Sequence, residues 1–578
     1  MRRLRFCLFA AAGAALAACG GHDATGAAGN ASACTSTTGF TLALAPGGVA
    51  VVNDPAKMGC MIVPAQAGAS DYVIIAGNAN VLGDVAWNYS LSASTVAGVA
   101  ANIVAADVRL PSVVSPSIAV SPEALSLSER LEARRRADER ALPLSGARAL
   151  VASRASATGA STGTRGSITP GGPSVGDVLT LSVPDTVTPC TKFFTIGARV
   201  QAVTEHAIIA QDTTAPTGGF TAADFTDIAN EFDRIIYPTD TLHFGSPGDI
   251  DVNGRVIILY TPRVNSETPR GSTSVLGGFF FGGDLFPKAS CGQSNLAELF
   301  YLLAPDPGAV FSDARTTAGV RQATRGTIAH EFQHMINLST RIRTVGAQNE
   351  ATWLDEALAH FAEEFVGRAE RGYTDVRKLA IADIADSPAL SDFNAFFAQN
   401  LARYKRWLQH PADSGATSKR ADVSLAVRGA AWSLLRYSAD QYSGGDVASF
   451  TRRLVAGPDS GVSNLSKRAG VSFDEIVQGW LPANFTSGLT IPGLPARDTY
   501  ASWDMRSAVS AISGGVYPLL VTTITDGFTT STKSVSAAGG YYRLTSAGAS
   551  PAMFVKVRAP GGTTVADPNA RVIIVRLN

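Results

Sequence analysis

Residues 326–337 read GTIAHEFQHMIN, and within them HEFQH at 330–334 sets two histidines four positions apart around one glutamate. At helical pitch, positions i and i+4 project from one face, so His330 and His334 can offer imidazole nitrogens to a single cation. Glu331, one residue past the first histidine, reaches the same cleft, where a carboxylate can take a proton from an activated water rather than bind the metal. The plain alternative is an amphipathic helix with two satisfied imidazoles, since Ile328, Ala329, Phe332, Met335 and Ile336 already make an apolar face. The chain holds only seven histidines in 578 residues, so the spacing does not follow from a histidine-rich composition.

A catalytic zinc takes three protein ligands and keeps a fourth position for water. Downstream lies TWLDEALAHFAEE, in which Thr352 and Asp355, three apart, form a capping-box pattern that predicts a helix start. Glu356 then falls in the first turn, and Glu356, His360 and Glu363 share one face. Glu356 is the expected third ligand, with His360 as its competitor. For His360 and Glu363 the expected task is to orient a ligand or hold substrate.

HEFQH followed by WLDEALA resembles the gluzincin metallopeptidases, and more specifically the hyicolysin family of bacterial secreted zinc peptidases. The likeness runs from about residue 207 to 480 and includes TAPTGGFTAADF, DIDVNGRVIILYTPRVN, GGFFFGGDLF, SNLAELFYL, HEFQHMIN, WLDEALAHFAEE and RGAAWSLLRY. The resemblance implies His330, His334 and Glu356 as zinc ligands and Glu331 as general base. Two departures stand out: Asp355 where gluzincins commonly have Asn, and Ala357 where many have Gly. No GxMEN amine-binding motif is present, which disfavours exopeptidase action. Peptide hydrolysis would also need a donor for the oxyanion, and His360, Arg428, Tyr301 and Tyr437 are the candidates. AELFYLL, before the histidine helix, is the expected edge strand for an extended protein or peptide substrate. The competing function is a catalytically inactive cell-surface binding protein on the same scaffold; the intact Glu331 argues against it.

The amino terminus reads as export. MRRLRF is a basic region, CLFAAAGAALAA a short apolar one, and LAAC, ending at Cys19, precedes two glycines. The run is too short to span a membrane, and its exit resembles a bacterial lipobox that leaves Cys19 as an acylated first residue. The alternative is an ordinary secretory signal. The expected location is therefore extracytoplasmic, as a membrane lipoprotein anchored through Cys19 or as a secreted protein. Cys34, Cys60, Cys190 and Cys291 remain, an even number suited to two disulfides, with Cys34–Cys60 and Cys190–Cys291 favoured among three pairings. Balanced charge, 48 basic against 48 acidic residues, gives no field for a nucleic-acid partner.

Period-two runs and helical runs then suggest an α+β multidomain chain: a zincin-like HExxH catalytic core with a helical subdomain, flanked by β-rich N-terminal and C-terminal domains. The expected divisions are a signal at 1–19, a tether at 20–33, a β-sandwich-like domain at 34–120, and a charged helix with disordered linker at 121–175. The catalytic domain follows at 176–370, the helical subdomain at 371–487 and a C-terminal β-rich domain at 488–578. The sandwich and the charged RLEARRRADER helix are also read as a propeptide candidate; the helix itself is expected to be solvated. GDIDVNG sets Asp249, Asp251 and Asn253 at calcium-loop spacing, but Tyr260 stands where a bidentate glutamate would close the loop. An Asx-rich turn is the first reading there and a Ca²⁺ site the second. GFFFGG lacks the lysine and spacing of a phosphate loop and reads as a flexible turn with aromatic anchors beside the cleft.

Overall fold

A computed structural model describes residues 34–96, 127–158, 172–185, 188, 190–272, 275–385, 390–420 and 424–578. Cys19 and the tether lie outside the described residues, as do 97–126 and 159–171 of the expected sandwich and linker.

The first strands are β1 (Phe40–Thr41), β2 (Val49–Val52), β3 (Met61–Val63), β4 (Ser70–Asn78) and β5 (Ala86–Thr95). A central group follows: β6 (Val178–Pro184), β7 (Phe193–Val203), β8 (Ala207–Asp212), β9 (Val256–Tyr260), β10 (Gly278–Phe280) and β11 (Leu299–Leu302). The last are β12 (Val521–Thr523), β13 (Thr529–Val535), β14 (Ala538–Ser546), β15 (Met553–Arg558) and β16 (Ala570–Arg576).

The β-rich regions at the two ends do not form separate units. Their strands alternate in two five-stranded sheets, β1-β3-β15-β5-β13 and β12-β14-β4-β16-β2. Antiparallel ladders place β4 between β14 and β16, and β5 between β13 and β15. Alternation along a strand reveals where strands occur but not which distant strand pairs with which, and here the partners lie more than 400 residues apart. Every residue of SDYVIIAGN in β4 is buried. Tyr72, Ile74 and Ala76 enter the sandwich core, whereas Val73 and Ile75 join the core shared with the helices.

The central sheet runs β10-β11-β9-β8-β7-β6, with β8, β9 and β11 parallel. β11, expected at the edge, lies inside, and β10 from the glycine-rich stretch takes the edge instead. The cause is local: a Cβ on Gly278 would sit 2.4 Å from Leu302 Cδ2 and 2.6 Å from the Tyr301 carbonyl oxygen, so only glycine lets the chain lie against β11.

The histidine helix (Thr317–Arg343) starts at an N-cap Thr316 whose side chain accepts from the Gly319 amide. The glutamate helix (Thr352–Glu370) has Ala351 as N-cap and no capping side chain, so the expected capping box is not formed. Helices Ala398–Leu408, Leu425–Tyr442 and Phe473–Thr486 complete this layer. Ile257 of the sheet, Leu358 of the glutamate helix, and Trp432 and Trp480 beyond it belong to one apolar core. The expected division at 370 is therefore a change of element type, not a break in packing. Both favoured disulfides, Cys34–Cys60 and Cys190–Cys291, are formed.

Only part of the described charged stretch is solvated. It folds as a cleft helix (Leu127–Ala141) and an anchor helix (Leu144–Thr158). Arg135 and Arg136 are only 1% and 5% exposed. Arg148 of the anchor helix donates to the carbonyls of Arg341, Ile342, Thr344 and Ala347, satisfying the C-terminal end of the histidine helix.

Candidate metal centre

Two helices bring the proposed ligands together. His330 and His334, one turn apart, turn their Nε2 atoms to within 3.2 Å of each other. Glu356, in the first turn of the glutamate helix, places Oε2 at 3.6 Å from His330 Nε2 and Oε1 at 4.0 Å from His334 Nε2. Tetrahedral zinc with bonds of about 2.0–2.1 Å separates its ligand atoms by about 3.4 Å, close to the size of this triangle.

Proton placement makes the fit chemical as well as geometric. His330 Nδ1–H donates to Glu363 Oε1 at 2.7 Å, and His334 Nδ1 faces Asp355 Oδ1 at 3.2 Å. With the proton on Nδ1, as Glu363 and Asp355 favour, each Nε2 would offer a lone pair to a metal. Two such lone pairs and a carboxylate then meet in a buried space. Glu356 is 1% exposed, and its Oε2 accepts no hydrogen bond. Arg428 Nη1 stands 3.3 Å from that oxygen. Without a metal the site attracts a proton: burial disfavours the His330 cation, but Glu356 and Glu363 outweigh it and push the ring up to about 10. Burial likewise disfavours charge on Glu356, yet Arg428 and the two histidines hold it well below the usual carboxylate range. The donor set fits a zinc ion, with His330, His334 and Glu356 as holders.

Glu331 lies beside this triangle. Its Oε2 accepts from the Phe280 amide at 2.8 Å and from Arg136 Nη2 at 3.2 Å. Arg136 also contacts Glu139 at 3.4 Å, and Glu139 Oε1 accepts from the Gly282 amide at 3.1 Å. A narrow cavity remains among Arg136, Phe280, His334, Asn337 and Asp355.

The other candidates separate cleanly. His360 is fully buried between Glu363 Oε1 (2.9 Å) and Arg403 Nη1 (3.0 Å). Burial, then the Arg403 charge, pushes it down to about 3, so the ring stays neutral. His330, His360 and Glu363 also cluster at metal-ligand distance. That group uses the proton-bearing side of His330, and the Arg403 cation beside it opposes a second metal. Arg428 is at the centre. Tyr301 is not: its hydroxyl donates to Asp284 Oδ2 at 2.7 Å and contacts the Ser182 carbonyl. Tyr437 is not either, since its hydroxyl donates to the Arg497 carbonyl at 2.7 Å.

In the acidic turn, Asp249 and Asp251 gather with Glu298. Asn253 donates its amide to both aspartates and its side-chain NH₂ to Asp251. Glu298 accepts from the Ile250 amide. Burial above all raises Asp251 to about 7 and Glu298 to about 8.

Sequence reasoning missed Asp355, Arg136, the Phe280 amide, Arg403 and Glu298. Only Asp355 carried a local signal: next to Glu356 in the first turn, it faces the second histidine. Asn337 Nδ2 donates to the same Asp355 oxygen at 2.7 Å and in turn accepts from Arg341.

No family model matches the chain. Over 140 residues it is 33% identical to the neutral metalloprotease ShpI of Staphylococcus hyicus, a stretch that makes up 24% of this chain and 30% of that protein. The chain thus covers under a third of the relative's length.

Proposed function

We propose that the chain is a zinc-dependent endopeptidase that cleaves peptide bonds with Glu331 as general base. One observation carries this reading: the Nε2 atoms of two histidines and a buried carboxylate converge within 3.2–4.0 Å of one another, beside a second carboxylate, Glu331. A zinc ion held by His330, His334 and Glu356 would supply a positive charge that polarises the scissile carbonyl and a water of near-neutral pKa. Glu331 takes the proton of the attacking water and returns it to the leaving amine. Glu363 and Asp355 hold the imidazoles in the ligating tautomer. Arg428 is the candidate donor for the oxyanion, because the hydroxyls of Tyr301 and Tyr437 are engaged elsewhere and His360 is enclosed. Edge strand β10 offers the backbone against which an extended substrate pairs.

We place the protein outside the cytoplasm. Two disulfides suit an oxidising compartment, and no helix among the described residues is long and apolar enough to cross a membrane. Anchoring through lipid at Cys19 rests on the LAAC pattern.

The test is metal analysis with peptide-library cleavage, comparing wild type with Glu331→Gln, each also carrying Arg136→Ala to clear the base. Zinc should be retained in all, and cleavage should fall by about 10²–10⁴-fold on losing the base. Equal cleavage with and without Glu331 would remove it from the mechanism; wild type without zinc would remove the site.

A further inference from the structure

The cleft helix Leu127–Ala141 lies where substrate would have to enter. Arg136 reaches Glu331 at 3.2 Å from a site that is 95% buried, so water does not screen the pair. The same oxygen already holds the Phe280 amide, which leaves it little capacity to receive a proton from water. One turn on, Glu139 occupies the Gly282 amide just past β10. One residue back, Arg135 pairs with Glu267 at 3.0 Å and sets its guanidinium 3.4 Å above the Phe279 ring of β10. Three successive contacts thus cover the base and the edge strand together. A helix with side chains is about 10–12 Å wide, so an extended peptide cannot lie on β10 while this one is seated.

The charges fit the same role. Burial disfavours the Arg136 cation, and Glu139 above all, then Glu331, Glu356 and Asp355, more than offset it. The anchor helix is tied independently to the end of the histidine helix through Arg148, so the cleft helix can leave without the arm detaching.

We infer that the Leu127–Ala141 helix is a built-in inhibitor of this site, with Arg136 capping the base Glu331 and Arg135 and Glu139 covering the substrate edge. The inference rests on the peptidase reading for the meaning of the site, but not for its test. Full-length wild type, Arg136→Ala and Arg135→Ala/Arg136→Ala/Glu139→Ala are compared in two measurements: hydrolysis of a quenched fluorescent peptide, and calorimetric binding of a small hydroxamate to the zinc-loaded protein. Release of the helix should raise both hydroxamate affinity and hydrolysis by at least about tenfold, as expected for removing a buried charge-assisted bond, with the triple variant above the single one. Hydroxamate affinity that rises while no variant hydrolyses peptide would uphold the inhibitor and overturn the peptidase. Measurable hydrolysis and affinity, equal in all three proteins, would uphold the peptidase and overturn the inhibitor.

Discussion

Glu363 holds His330 Nδ1 in a 2.7 Å hydrogen bond, and Asp355 stands 3.2 Å from His334 Nδ1, so Glu363 is the firmer of the two in turning an Nε2 toward a metal. Glu363→Ala should therefore weaken zinc binding by about 10–100-fold, read by competition with a coloured chelator, with the far-UV dichroism unchanged. The acidic turn makes a separate prediction. Asp251 and Glu298 titrate near about 7 and about 8 in the fold, against about 4 in an unfolded chain. Between those values the folded state holds protons that the unfolded state has released, so stability falls as pH rises from about 4 to about 8. The melting temperature of Asp251→Asn and of Glu298→Gln should fall less than that of wild type over this window; parallel curves would remove the cluster as the cause. Of these residues, His330, His334 and Glu356 were legible in the sequence because helical pitch places each one within its own element. Tyr301 and Tyr437 were not, because a hydroxyl's partner, here Asp284 or the Arg497 carbonyl, depends on packing between distant segments.

Between elements, close approach is set by glycine where side chains would hold helices apart. A Cβ on Gly429 would meet the backbone of Arg403 and Tyr404 at 2.2–2.3 Å, so helices Ala398–Leu408 and Leu425–Tyr442 pack backbone to backbone there. Gly429 precedes nothing catalytic but follows Arg428, which stands at Glu356. Gly429→Ala should cost at least about 1–3 kcal/mol in denaturant unfolding and displace Arg428 from the centre. A stability loss with no change in kcat would show that Arg428 is insensitive to its helix. Periodicity made the histidine and glutamate helices and Leu425–Tyr442 readable but not Leu144–Thr158, Val447–Ala456 or Gly461–Ala469, and the seat of each helix was not readable. RLEARRRADER carries the polarity of a solvated helix, yet Arg135 and Arg136 are buried against Glu267 and Glu331. Composition alone does not reveal a carboxylate 195 positions away in the chain.

At the scale of the whole molecule, the two ends of the chain are one sandwich, and this bears on how the protein can be processed. A propeptide ending near residue 120 would remove β1, β2, β3, β4 and β5, and with them both strands that bridge the late ones. β4 alone contributes Tyr72, Ile74 and Ala76 to one core and Val73 and Ile75 to the other, so its loss would open both. Burial of large apolar side chains at about 1.5–3 kcal/mol each makes that loss exceed the 5–15 kcal/mol by which domains are ordinarily stable. A cut between 97 and 126 should therefore leave the N-terminal fragment bound through its ladders to β13–β16. Limited proteolysis followed by gel filtration should give one peak containing both fragments, separable only after denaturation. An N-terminal fragment that elutes alone, with the remainder still folded and zinc-loaded, would mean that the sandwich strands are dispensable and would restore the propeptide reading.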